Sequence, residues 1–257
     1  MQIQNCSLHF GGIKALTQLS FQLAERELLG IIGPNGAGKT SFFNILSGVY
    51  SPSEGEISFQ RQSLIHFNPH QISRLGIART FQNIRLFQNL SVQDNVRIAF
   101  HPHIEASLFS SVLKLDSFVN EEKQIQKKTF DLLELFGLLE KRLELAKNLC
   151  YGDQRRLEIV RALATNPKLL LLDEPAAGMN LSEKNELMQL IRGLHQDHGL
   201  AIILIEHDMH VVMNLCPRIL VLNYGTLLAE GSSEHIRNHP QVIEAYLGDR
   251  NRKPVNS

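Results

Sequence analysis

Three features of this 257-residue sequence predict an α/β protein. Short apolar runs of strand length recur, amphipathic stretches alternate with them in the second half, and the middle third carries no buried strand run. Together they predict a largely parallel sheet covered by helices, with a helical lobe inserted between two halves of the core. The length suffices to bury such a core as one domain with a sizeable inserted lobe.

The elements follow in order. Met1 to Phe10 reads as extended, with Ile3, Leu8 and Phe10 apolar. Phe21 to Ile32 reads as a strand pair about the charged turn Glu25-Arg26-Glu27, its second member the buried run Leu28 to Ile32. Ser51 to Gly55 is a turn signal, and Glu56 to Phe59 alternates as a strand does. Beyond Leu90 the pattern changes. Ile125, Phe130, Leu132, Leu133 and Phe136 mark an amphipathic helix over Glu121 to Phe136, with Gly137 as its stop. His101 to Ser111 reads as a loop or irregular excursion, its His101 and His103 solvated. A helix containing Leu157 to Thr165 must end at Asn166-Pro167, because the residue before proline avoids helical dihedrals. Then come a strand at Leu169 to Leu172, a helix at Glu183 to Leu194, a strand at Leu200 to Ile205, and a hairpin over Val221 to Glu230 turning at Asn223-Tyr224-Gly225. Asp249 to Ser257 reads as a loose polar tail.

Composition narrows the partners. Twenty-six basic side chains balance twenty-six acidic ones, which argues against a broad nucleic-acid footprint. Cys6, Cys150 and Cys216 are widely spaced with no CxxC pair, which suits a reducing compartment and neither a disulfide framework nor a zinc site. No leader pattern appears, and no apolar run approaches the roughly 18 residues of a membrane span. The expectation is a soluble cytoplasmic chain with room to dock on a membrane protein.

The densest signal is Gly33-Pro34-Asn35-Gly36-Ala37-Gly38-Lys39-Thr40, followed by Ser41 at the start of a helix. It satisfies G-x-x-x-x-G-K-[S/T] between a buried strand and a helix, the context a triphosphate loop requires. Glycines let the backbone fold tightly enough to aim N–H groups at phosphate oxygens. Lys39 adds a point charge for the β/γ-phosphates, Thr40 a hydroxyl for Mg²⁺, and the helix N-terminus favours anions. ATP with Mg²⁺ is the expected ligand. At the end of the strand Leu169 to Leu172, Asp173 is placed on the metal side and Glu174 as the base that polarises water.

Between these motifs, Leu149-Cys150-Tyr151-Gly152-Asp153-Gln154 resembles the signature, usually written LSGGQ, of the ATP-binding-cassette (ABC) ATPases. The resemblance covers essentially the whole chain. It implies a P-loop NTPase core with a mostly parallel sheet, an antiparallel β subdomain and an inserted α-helical subdomain, the core over 1–87 and 162–248 and the helical part over 88–161. By the same resemblance Phe10 is the aromatic that stacks on adenine, and Gln82 the glutamine that links the nucleotide and metal site to the helical lobe. His207 is the switch histidine near the γ-phosphate; Lys39, Gln82, Glu174 and His207 are then the catalytic set, and Thr40, Gln82 and Asp173 the metal set. Ala177-Gly178-Met179-Asn180 stands where that family has its D-loop. The pattern His207, Asp208, His210 offers no metal geometry of its own.

Arg79-Thr80-Phe81-Gln82-Asn83, Ala176 to Asn180 and Glu244-Ala245-Tyr246-Leu247-Gly248 are similar to the ATPases of branched-chain amino acid importers. Urea and amide importers and, more distantly, lipopolysaccharide exporters share this wording, so these remain alternatives, as does a soluble ABC ATPase of DNA repair or the ribosome. Against the last stand the absence of sustained heptads and the presence of a single cassette. The resemblance implies two transmembrane permease subunits, a second ATPase subunit, a solute-binding protein outside the membrane, and a place at the cytoplasmic face of the cell membrane. Ile84, Leu86, Phe87 and Leu90 would then face a permease helix or pack the lobe.

Cys150, Tyr151 and Asp153 replace the serine, glycine and glutamine usual in the wider family; Tyr151 and Asp153 look like ordinary wording of the importer subgroup, so only Cys150 is unusual. A thiol donates weakly, and Asp153 would bring negative charge near phosphate, so a weakened composite site in an asymmetric heterodimer is one expectation; tolerated substitutions are the other. Gly152 is retained. Arg155, Arg156 and Arg161 read either as a solvated helix face or as nucleotide or partner contacts.

Overall fold

A computed structural model describes residues 1–100 and 116–248. The excursion at His101 to Ser111 and the tail at Asp249 to Ser257 lie outside the described residues. In chain order the elements are β1 (Gln2–Phe10), β2 (Ile13–Gln22), β3 (Leu28–Ile32), α1 (Lys39–Leu46), β4 (Glu54–Phe59), β5 (Gln62–Ser63), α2 (Pro69–Arg74), β6 (Ile77–Arg79) and α3 (Val92–Ala99). They continue as α4 (Asp116–Leu135), α5 (Tyr151–Ala164), β7 (Leu169–Asp173), α6 (Leu181–Gln196), β8 (Ala201–Ile205), α7 (Met209–Leu215), β9 (Arg218–Asn223), β10 (Thr226–Gly231), α8 (Ser233–Arg237) and α9 (Pro240–Gly248).

Two sheets form. A four-stranded antiparallel sheet runs β2-β1-β4-β5, and a six-stranded sheet runs β10-β9-β3-β8-β7-β6, parallel except for β10. The segment read as one strand pair, Phe21 to Ile32, is thereby split, because β2 and β3 join different sheets. The reason lies in their burial. All five residues of β3 are buried, as a central strand covered on both faces demands, whereas β2 alternates like a sheet with one wet face.

The all-apolar strands divide their side chains between two cores. Leu169, Leu171, Ile203, Ile205, Leu29 and Ile31 point to one side, where α1 lies between the sheets with Phe42 and Phe43 fully buried. Leu170, Leu172, Ile202 and Leu204 point to the other, packing on α5, α6 and α7. Within that second core Val92 and Val96 of α3, Leu133 of α4 and Leu157 and Val160 of α5 assemble the helical region. Gly137 stops α4 with φ +68.

β6 has only three residues and escapes any periodic reading. It matters, because its pairing with β7 puts the chain at Thr80–Gln82 beside the end of β7. Since β3, β6, β7 and β8 are parallel, the loops after all four leave at the same sheet edge, where open α/β sheets bind ligands.

Candidate active site

The loop after β3 is shaped by its glycines. Gly33 has φ +153, and a Cβ there would stand 2.2 Å from the carbonyl oxygen of Leu222. Gly38, the N-cap of α1, has φ +98, and a Cβ would meet the Ala15 carbonyl oxygen at 2.6 Å. No side chain caps α1, and its first turn carries no acidic residue, so its N–H groups face an anion without competition. Lys39 closes the loop by donating from Nζ to the carbonyls of Gly33 (2.7 Å) and Pro34 (3.0 Å). Two of its three N–H donors are thus used inside the loop. Burial lowers the pKa of Lys39, while Glu174 and Asp173 act in the opposite direction.

Asp173 ends β7 with its carboxylate buried and paired to Arg79 at 2.9 Å. Burial raises its pKa and Arg79 opposes the rise. Arg79 also donates to Asn44 Oδ1 (2.8 Å) and Ser47 Oγ (2.9 Å), and its guanidinium lies over the rings of Phe43 and Phe81. One arginine therefore fastens α1 to the end of β7.

Two of the predicted residues converge on a third, Glu174. Its Oε2 accepts from Gln82 Nε2 at 3.1 Å and lies 3.4 Å from His207 Nδ1. Glu174 adopts φ +49, a left-handed conformation that costs a non-glycine residue about 1 kcal/mol, and its N–H is held by the Ile205 carbonyl at 2.9 Å. Such strain, over-determined by neighbours, is what functional loops store. The exposed Thr40 begins α1 at the same edge. Thr40, Gln82 and Asp173 carry hydroxyl, amide and carboxylate oxygens, the donor types that suit a hard cation.

Phe10 is half exposed at the end of β1, edge-to-face with Tyr50 at 5.1 Å between centroids. No hydrogen bond joins it to the loop among the described residues. Cys150 is the exposed N-cap of α5 and makes no side-chain cap; Gly152 is buried with Glu183 against it. Neither hydrogen-bonds to the phosphate loop of its own chain among the described residues. Asp153 departs from expectation. Its carboxylate turns inward, 9 % exposed, and pairs with Lys141 at 2.5 Å, so its charge is compensated instead of offered to phosphate. Arg155 departs too: it is 3 % exposed and lies on no solvated face. Arg156 pairs with Glu186, and Arg161 donates to the Arg85 carbonyl beside Phe87.

The sequence reading missed several groups that organise this edge. Glu206 is fully buried, accepts the Ala176 N–H (2.8 Å) and the His207 N–H (3.3 Å), and so ties the loop after β7 to the loop after β8. Lys184 of α6 pairs with Asp208, in the loop after β8, at 2.5 Å. Tyr246 of α9 buries its hydroxyl beside the Gly33 N–H without a bond of ordinary geometry, and burial pushes the phenol up to about 12. Arg79 and Glu206 share one faint signal, a charge ending an otherwise apolar run.

Comparison with known proteins agrees with this geometry. Residues 16–177 match the model of the ABC transporter family, and residues 226–250 match that of the branched-chain amino acid ATP-binding cassette transporter. The high-affinity branched-chain amino acid transport ATP-binding protein LivG of Salmonella typhimurium is 46% identical over 97% of this chain and 98% of its own. The corresponding protein BraF of Pseudomonas aeruginosa is 39% identical over the same shares. Among solved structures, the ADP conformation of MJ1267, an ATP-binding cassette of an ABC transporter, superposes with a TM-score of 0.83 at 29% identity over 96% of this chain and 98% of that one.

Proposed function

The chain belongs to the ABC transporter family of ATP-binding proteins, and from that premise we propose that it hydrolyses ATP to drive import of branched-chain amino acids. The observation that carries the hydrolytic part is the convergence of Gln82 and His207 on the strained Glu174 beside a complete phosphate loop. The backbone from Gly33 through Pro34, Asn35, Gly36 and Ala37 to Gly38, with the N–H groups of Lys39, Thr40 and Ser41, cradles the phosphates, and Phe10 stacks on adenine.

Magnesium, when bound, neutralises charge that develops on the transferred phosphoryl group. Thr40, Gln82 and Asp173 are the residues that would hold it. Arg79 keeps the Asp173 carboxylate oriented for that purpose. Glu174 takes a proton from the attacking water, while Gln82 and His207 hold its Oε2 in place. Lys39 offers its remaining N–H to the phosphate oxygens. Cys150 and Gly152 face the nucleotide held by a second cassette, and the chain works as one of two such subunits, at the cytoplasmic face of the membrane.

In this reading 1–87 and 162–248 form the nucleotide-binding core and 88–161 the helical subdomain. Between them lies a groove of about 510 Å³ lined by Val49, Phe81, Arg85, Phe87, Ile98 and Arg161. Phe87 is 46% exposed there, and Arg161 Nε is buried without an acceptor among the described residues. A short helix from one of the two transmembrane permeases would fill the groove. A solute-binding protein joins only through the permeases.

The test is uptake of labelled leucine, isoleucine and valine by cells lacking the gene, restored with wild type or Glu174→Gln. Uptake restored by wild type alone supports the proposal. Unchanged uptake in the deletion removes the branched-chain assignment, and rescue by Glu174→Gln removes the hydrolytic role of Glu174.

A further inference from the structure

Tyr151 stands where the related signature usually has glycine, and the residues around it give that substitution a task. Arg155, one helical turn further along α5, has five N–H donors, and each has an acceptor. Nε donates to the Tyr151 hydroxyl (3.1 Å), as does one hydrogen of Nη2 (2.8 Å). Nη1 donates to the Phe81 carbonyl (2.8 Å) and to Glu158 Oε2 (3.3 Å), and Nη2 also to the Gln82 carbonyl. Glu158, 5% exposed, accepts the N–H groups of Phe81 (3.2 Å) and Arg85 (3.4 Å) on Oε1. A buried ion pair of α5 therefore holds both the N–H and the carbonyl of Phe81, immediately before Gln82.

The ring of Tyr151 reaches the other loop. Its Cε1 lies 3.0 Å from where a Cβ on Gly178 would stand, and Gly178 has φ +75, so the loop after β7 is pressed against the tyrosine. One side chain thus touches the segment that follows Glu174 and, through Arg155, the segment that carries Gln82. Those two loops meet in the 3.1 Å bond between Gln82 and Glu174.

We propose that Tyr151 is a positioning residue for the hydrolytic site of its own chain, acting through Arg155 to fix the Gln82 backbone against Glu174. The inference rests on the ATPase reading given above. The ring alone would fill space against Gly178. The hydroxyl oxygen accepts two of the five hydrogen bonds that keep a buried guanidinium in one orientation, and a guanidinium that loses them turns toward water and releases the carbonyls of Phe81 and Gln82.

Tyr151→Phe removes only the hydroxyl, and Tyr151→Gly restores the usual wording of the related signature, so a folded variant is available whichever way packing responds. In the purified transporter complex, with both cassettes and the permeases present and ATP bound, Tyr151→Phe is expected to speed amide exchange at Phe81 and Arg85 about 5-fold, the equivalent of one lost hydrogen bond. Turnover should fall several-fold with KM for ATP close to wild type and Tm lowered only by the few degrees that one hydrogen bond is worth, and Tyr151→Gly should show these effects more strongly. Unchanged exchange and unchanged turnover in Tyr151→Phe would overturn the inference. So would a parallel fall in Tm, ATP affinity and turnover, which marks a general packing role. Failure of wild type itself to turn over ATP would instead remove the reading on which the inference rests.

Discussion

The phosphate loop and the signature turn are both short, glycine-containing segments that lead into a helix, yet they are held in opposite ways. The loop is held by its own backbone: left-handed glycines at Gly33 and Gly38, and a lysine whose ammonium returns to two carbonyls within six residues. The turn at Cys150 to Arg155 is held by side chains that reach across more than seventy residues to Phe81 and Gln82, by Lys141 on Asp153, and by Gly178 under Tyr151. Its own N-cap contributes no side-chain bond. A segment held by its backbone announces itself in sequence; one held by distant partners does not.

The largest expected effect breaks the loop. Lys39→Ala should abolish measurable ATP turnover, and Glu174→Gln should lower it about 10²- to 10³-fold while ATP binding persists, as filter binding and phosphate release would show together. Turnover by Glu174→Gln within tenfold of wild type would remove that carboxylate from the chemistry.

Next comes the tie between loop helix and strand. Arg79→Met leaves the Asp173 carboxylate buried and unpaired, which should cost about 3–5 kcal/mol in urea unfolding. Adding Asp173→Asn should recover part of that loss, because the uncompensated charge is gone. A double variant no more stable than Arg79→Met would show that the arginine's contacts with Asn44, Ser47 and the rings dominate.

A smaller effect sharpens the comparison through Glu206. Burial raises its pKa above the unfolded value, so the folded state disfavours the ionised form. The destabilisation is absent below the unfolded carboxylate pKa and grows as pH rises toward the folded one. Glu206→Gln keeps an acceptor for the Ala176 N–H, gives up the one for the His207 N–H and removes the titration. Its Tm relative to wild type should be highest at pH 8 and decline toward pH 4; a difference that grows in acid would reverse the assignment.

The smallest expected effect lies at the signature. Cys150→Ser supplies the missing N-cap acceptor for α5 and should stabilise the chain by about 0.5–1 kcal/mol. In the same protein, thiol labelling at pH 8 should be fast at the exposed Cys150. It should be slow at Cys6 and Cys216, whose thiols burial pushes up to about 11 and about 12. Fast labelling at all three would mean that the cores around them open readily.

Much of this molecule was legible in sequence, for reasons that can be named. β3, β8 and β7 as far as Leu172 are short runs without a polar side chain because both faces of the sheet are covered there. Asp173 and Glu174 stood out as acids ending such a strand. β6 was illegible because three residues cannot show a period, and the split between β2 and β3 because a turn does not say which sheet each strand enters. Arg155 was misread because its helix carries charges on more than one face, and only the packed structure shows which face is buried.

By itself the sequence determined the phosphate loop, the alternation of buried strands with amphipathic helices, and the pair of acids that follows the apolar run of β7. Each of these is written in neighbouring residues, where backbone freedom, hydrophobic period and charge act over a few ångströms of chain. Tertiary structure alone decided that Arg79 would hold Asp173, that Glu206 would bridge two loops, and that Tyr151 and Arg155 would fasten Gln82. Hydrogen bonds and ion pairs depend on distance in space, and the parallel sheet brings together loop ends that lie 94 residues apart in sequence.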